Sequence, residues 1–313
     1  MRSASVYAAL AFASSFGCAD EPWPRPAAVP LQQFVAELDE WREYRRYRLV
    51  LPGPGPVTWV GLWELHAGDA AMGADSTLPI VLPGSSSPRL AGTFRRSGAG
   101  VQFQPAPGAG VRLADGTPVS GALAVASDRT DAPTLLAIGS LRIRLHSEPG
   151  TDRLWLRAWD EEHADRETFR LPQSFAPDTA WRVSARFDRF RTPRAYRVAD
   201  VTGGSQEYRS PGELVFRLGG REHRLAASAD STSRDFFVMF WDSTATTTTY
   251  EGGRYLRVPL PGADGWTVID FNRAYNPPCV FTPYSTCAFP PPGNRLELAV
   301  DAGEMRAQLG GSR

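Results

Sequence analysis

The stretch LRIRLH at residues 141–146 sets Leu141, Ile143 and Leu145 against Arg142, Arg144 and His146 in strict alternation. A period of two is that of a pleated strand with one face on a core and the other in water. The rhythm returns in WRVSARF (181–187), where Trp181, Val183, Ala185 and Phe187 alternate with Arg182, Ser184 and Arg186, and again at Leu296, Leu298 and Val300. The run FFVMFW (236–241) does not alternate, which predicts a strand buried on both faces. Clusters of Gly, Pro, Asp or Ser punctuate the chain about every ten residues. Strands that follow one another without helices between them predict antiparallel sandwiches or barrels, a mainly β protein.

One helix stands apart from this pattern. Residues 31–50 carry Phe34, Val35, Leu38, Trp41 and Tyr44 or Tyr47 at helical spacing, which predicts an amphipathic helix packed on a sheet. Glu37, Asp39 and Glu40 precede Arg42, Arg45, Arg46 and Arg48, an order that suits the helix dipole and reads as a solvated face. The sequence LPGPGP (51–56) then stops the helix. Two β units are expected beyond it, over 57–160 and 162–306.

The chain of 313 residues is 42% hydrophobic, with 34 basic and 34 acidic side chains. That size buries a core without help from metals or disulfides, and the charge balance excludes a global basic field for nucleic acid. Residues 1–17 hold Arg2 and then the uncharged apolar stretch 6–17, too short to span a bilayer. The expectation is an export signal, with a protein of the periplasm or cell envelope behind it. Its end, SFGCAD, resembles a bacterial lipoprotein signal and implies a lipid anchor at Cys18; an ordinary secretory signal is the alternative. The Pro-rich residues 18–30 read as a tether.

Cys279 and Cys287 remain. In an oxidising compartment two cysteines eight apart suggest a disulfide across a Pro-rich loop. Their spacing does not suit a zinc site, and His66, His146, His163 and His223 are scattered singly. No nucleophile elbow, P-loop, dinucleotide fingerprint or zinc-protease motif occurs, so neither metal nor cofactor is expected.

Unusual residues gather late in the chain, in FWDSTATTTTYEGGR (240–254), DFNRAYNPPC (270–279) and PPGNRLELAVDAGE (291–304). Asp242, Thr244, Tyr250, Arg254, Asp270, Asn272, Tyr275, Asn276, Asn294, Arg295 and Glu304 are the candidate site residues. Polar side chains in turns on a β scaffold either bind ligands or brace the turns themselves. Asp270 and Asn272 share a strand face and suit sugar hydroxyls or a hard cation; the same pair suits capping of the next turn. Arg254 suits an anionic ligand, or an ion pair with Asp242 or Glu304. Asp242 with Asp270 or Glu304 suits the acid and base of a hydrolase.

These three stretches resemble the domain of unknown function 1684 family of bacteria and archaea, and GLWELHAGDAAMGAD (61–75) resembles its N-terminal motif. The departures are Ala245, where a Gly is common, and Ala288, where a Pro usually follows the second Cys. The resemblance implies no activity. Residues 68–105 with 134–148 also resemble a forkhead-associated sandwich, but Ala74 stands where that family's phosphopeptide-binding Arg follows its Gly, so phosphothreonine binding is not implied. The expected function is binding of a small polar ligand or a protein partner through the C-terminal unit. The alternatives are a hydrolase of carbohydrates or esters and a purely structural envelope protein. Contact with a membrane is expected only through Cys18.

Overall fold

The computed structural model describes residues 23–84 and 87–307. The expected export signal and Cys18 lie outside them. The chain is mainly β, with antiparallel sheets and an N-terminal helix.

Helix α1 (Leu31–Val50) starts beyond Pro30 and gives way to extended backbone at Leu51, the conformation that Pro52 imposes on its predecessor. Its inward face departs from the expected stripe. Phe34, Leu38 and Leu49 are buried, whereas Tyr44 and Tyr47 are 61% and 53% exposed. Arg45, expected on the solvated face, points inward instead. No helix among the described residues is long and apolar enough to cross a membrane.

The next strands are β1 (Trp59–Glu64), β2 (Gly68–Gly73), β3 (Ile80–Val81), β4 (Gly92–Ser97) and β5 (Gly100–Pro105). They are followed by β6 (Arg112–Leu113), β7 (Leu123–Ala124), β8 (Leu135–Ile138), β9 (Leu141–Ser147) and β10 (Leu154–Asp160). Two sheets form, in the orders β1-β10-β9-β8-β6 and β3-β2-β4-β5-β7. One core joins them: Leu136, Ile143, Leu145 and Leu156 of the first sheet cluster with Met72, Phe94 and Phe103 of the second. The alternation at 141–145 is realised here, with Leu141, Ile143 and Leu145 all buried.

After a single helical turn, α2 (Asp165–Thr168), the second unit begins with two long strands, β11 (Arg182–Ala199) and β12 (Ser205–Leu218). Their register breaks between Arg189 and Arg194, where Pro193 has no amide to donate. β13 (Arg221–Ala227) and β16 (Trp266–Asp270) complete the sheet β13-β12-β11-β16. β14 (Asp235–Phe240) and β15 (Arg254–Pro259) pair as a separate ribbon. The ribbon explains the unbroken apolar run. Phe236, Val238 and Phe240 enter the main core with Leu214, Phe216 and Phe271, while Met239 packs on the other side with Val198, Tyr255 and Ala288.

From Trp23 onward the expected tether is docked on this unit. The Trp23 indole donates to the Ser184 carbonyl at 3.1 Å and meets Trp266 edge to face at 5.1 Å.

A polar seam joins the two units. Arg153, just before β10, reaches Glu64 at 3.0 Å, Glu148 at 3.3 Å and Asp200 of the second unit at 3.4 Å. Gln206 of β12 donates to Glu148 at 2.8 Å. Gly204 leaves room for the Arg153 guanidinium, which a Cβ at that position would displace.

Candidate functional site

Most of the candidate residues prove to be internal ties. Arg254, at the start of β15, is 1% exposed, and its guanidinium donates to Asp242 at 2.5 Å and to the carbonyls of Val300 (2.9 Å) and Ala302. Burial pulls the Arg254 pKa down, against the Asp242 charge that holds the proton. The other oxygen of Asp242 accepts from the Thr244 amide at 3.0 Å and its hydroxyl at 2.5 Å, and Thr244 in turn bonds Thr249 at 2.8 Å. Of the two readings of Arg254, the buried ion pair is the one realised. It fastens the C-terminal segment to the ribbon.

Glu304 is tied from two sides. Its carboxylate accepts from the Asn276 amide at 2.8 Å and from both the Nε and Nη2 of Arg45, the latter at 3.0 Å. Arg45 also donates to the Asn276 carbonyl at 2.9 Å and lies over the Tyr275 ring at 4.5 Å. The Asn276 side chain donates to the Met305 carbonyl at 2.8 Å. Nothing in the sequence singled out Arg45 from its neighbours on α1. The signal would have been its place on the Phe34–Leu38–Leu49 face.

Two asparagines act as backbone surrogates. Asn294 accepts from the Ala226 amide (2.8 Å) and donates to the carbonyls of Ala226 (2.9 Å) and Met239 (2.8 Å), stitching β13 to β14. Asn272 exchanges the same pair of bonds with the Asp178 backbone at 3.0 and 2.9 Å. Asp270 accepts from the Asn272 amide at 3.1 Å, so the capping alternative describes this pair. Gly303 follows the same logic: its φ is +80°, and a Cβ there would lie 2.5 Å from the Ala274 carbonyl oxygen.

The candidates therefore do not converge on one cavity. Asp270 and Tyr275 line a cleft of about 450 Å³ between α1, β15 and β16, whereas Asp242 and Glu304 do not. The paired carboxylates of a hydrolase are not assembled, since Asp242 and Glu304 are each held by an arginine. Arg295 is exposed beside the Trp241 ring, and Tyr250 is half-buried with its hydroxyl 3.6 Å from the Cys279 sulfur.

The cleft brings in residues the sequence reading passed over: Phe34, Glu37 and Trp41 from α1, with Arg182, Asp235, Arg257 and Arg273 from the floor. Arg182 and Arg257 occupy polar positions of alternating strands, where they read as ordinary solvated residues. Asp235 pairs with Arg257 at 3.3 Å, but Asp270 stands 3.7 Å from Arg273 and 3.9 Å from Arg182, longer than a hydrogen bond. Among the described residues, the Arg273 Nε has no hydrogen-bond partner.

Cys279 and Cys287 are separate thiols here and not the expected disulfide. The Cys279 amide donates to the Cys287 sulfur at 3.1 Å. Among the described residues, no group of three or more His, Cys, Asp or Glu side chains is placed to hold a metal ion.

The family model described as "Protein of unknown function (DUF1684)" matches residues 167–305, which hold all of these ties except Arg45. A solution NMR structure of an uncharacterised protein from Haloarcula marismortui is 33% identical, over 48% of this chain and 82% of that one, with a TM-score of 0.39. No curated protein matches the chain. The chain belongs to the DUF1684 family.

Proposed function

We propose that this is an exported binding protein that holds a small polar ligand bearing an anionic group in the cleft beneath α1. The observation that carries this reading is the gathering of Arg182, Arg257 and Arg273 around a cleft of about 450 Å³, within the usual size range of small-molecule sites. Asp270 only loosely engages two of these arginines, so they keep donors for a carboxylate or phosphate. Phe34 and Trp41 supply an apolar wall for the rest of the ligand. The apolar N-terminal stretch supports export, and Cys18 supports anchoring to the membrane.

The test is a thermal-shift and calorimetric screen of dicarboxylates, amino acids and phosphorylated sugars against the full chain. At least one class is expected to bind, and Arg257→Ala and Arg273→Ala are expected to weaken it about tenfold or more while the fold survives. Folded variants that bind as well as the parent, or a screen without a binder, would remove the cleft as the site. Membrane fractionation of the parent and of Cys18→Ser tests the anchor; both forms in the soluble fraction would exclude it.

A further inference from the structure

A second pocket, of about 250 Å³, lies at the seam of the two units and shares no lining residue with the cleft. Arg157 of β10 and Cys287 both line it. Arg157 is 6% exposed and projects from a strand whose neighbour places Arg144 directly opposite it. Its guanidinium lies over the Trp59 ring at 4.3 Å, yet among the described residues its Nε has no hydrogen-bond partner and no carboxylate pairs with it. A buried cation without a counter-ion is costly, and a strand facing a second arginine makes it more so. Burial first, and then the Arg144 charge, pull its pKa down to about 10. Such a group waits for an anion.

Among the residues lining the pocket, the group that most readily becomes an anion is the Cys287 thiol. Cys287 is 9% exposed, receives the Cys279 amide at 3.1 Å and stands 3.5 Å from the Ser285 hydroxyl. Burial opposes a thiolate there, but its hydrogen bonds with Cys279 and Ser285 and the Arg157 charge outweigh it, and the net direction is down. Cys279 is displaced the other way, by its hydrogen bond to Cys287 and then by burial. Position differentiates the two thiols: Cys287 lines the pocket, whereas Cys279 is not part of its lining.

We propose that the seam pocket is a thiol–disulfide exchange site for small anionic organic disulfides, with Cys287 as the attacking thiol, Cys279 as the resolving thiol and Arg157 as the cation that positions both the attacking sulfur and the substrate. Cys287 attacks one sulfur of the disulfide, a mixed disulfide forms, and the first thiolate leaves and takes a proton from water. Cys279 then loses its proton and attacks the Cys287 sulfur. The Cys279–Cys287 bond closes and the second thiolate leaves. The protein gives up two electrons and two protons, and the small disulfide becomes two thiols. This gives the expected disulfide a role as the oxidised state of a working pair.

The test uses the full chain carrying Cys18→Ser, reduced and desalted. Dithiobis(nitrobenzoate), an anionic aromatic disulfide, is expected to release about two equivalents of thiolate per folded chain. With Cys279→Ser added, release falls to about one equivalent and mass spectrometry finds the probe on Cys287. Arg157→Met is expected to slow the anionic probe roughly tenfold more than uncharged dithiodipyridine, and Arg157→Lys to restore part of the difference. A purely structural arginine would slow both probes alike. Release only after denaturant is added, one equivalent from the dithiol form, or equal slowing of the two probes would each overturn the proposal. Should Arg157→Met fail to fold, Arg157→Lys carries the probe comparison.

Discussion

Arg45 and Glu304, 259 residues apart in the chain, meet as a two-pronged ion pair that fixes α1 to the Gly303–Glu304 turn. The pair is largely buried, with side chains 11% and 3% exposed, and a hydrogen bond from the Asn276 amide completes it. In such a setting the attraction offsets desolvation only while every partner is present.

Removing one partner is therefore expected to cost more than removing both. Arg45→Met or Glu304→Gln alone should destabilise the protein by about 3–5 kcal/mol, whereas the double variant should lose much less than the sum. Urea unfolding of the four-member cycle measures this, and additive losses would show that the pair is not coupled.

The same reasoning extends to the ribbon. Arg254→Met leaves the Asp242 carboxylate buried without its cation, and a loss of about 3–5 kcal/mol is expected by chemical denaturation. Asp242→Asn should cost a similar amount, because its amide keeps an oxygen for the Thr244 amide and hydroxyl but leaves the Arg254 guanidinium buried without a counter-ion.

Asn294→Ala strands the Ala226 amide and two carbonyls at once. About 1–3 kcal/mol is expected for each buried group left unpaired, with amide exchange at Ala226 rising before that of the sheet interior. Unchanged protection at Ala226 would mean that water takes over the bonds.

Gly303→Ala places a side chain where φ is +80° and the Ala274 carbonyl is in the way. Strain of about 1–3 kcal/mol is expected from the backbone alone, before the contact is relieved. A scanning-calorimetry midpoint equal to that of the parent would contradict this.

In the first unit, a hydrogen bond from Arg89, followed by those from Thr77, holds the Asp75 carboxyl down at about 2. A depressed acid contributes its stabilisation above the free aspartate value, and loses it as pH falls through the folded value. Arg89→Ala should move the Asp75 midpoint in a carbon-13 NMR titration upward, toward 3.8.

Strand positions were legible because alternation is local: Leu141, Ile143 and Leu145 needed no knowledge of their partners. The buried strand at 236–240 was legible from an equally local signal, its unbroken apolar run. The inward turn of Arg45 was not, since its destination lies on Glu304 at the far end of the chain, and one arginine on a helix looks like the next. Asn294 and Asn272 drew notice as polar residues in turns, but their work as substitutes for backbone depends on which strand edges face them. The cleft was hidden for a related reason. Arg182 and Arg257 become neighbours only when β11, β15 and β16 are folded together beneath α1.

The seam sets a limit on how this family member can be divided. A chain begun at residue 167 would retain the whole matched segment, yet it would lack Arg45 and Arg153. Glu304 and Asp200 would then lose the cations that neutralise them. What looks like a self-sufficient module by sequence match is electrically incomplete in this chain, and its missing charges are supplied by residues that precede it.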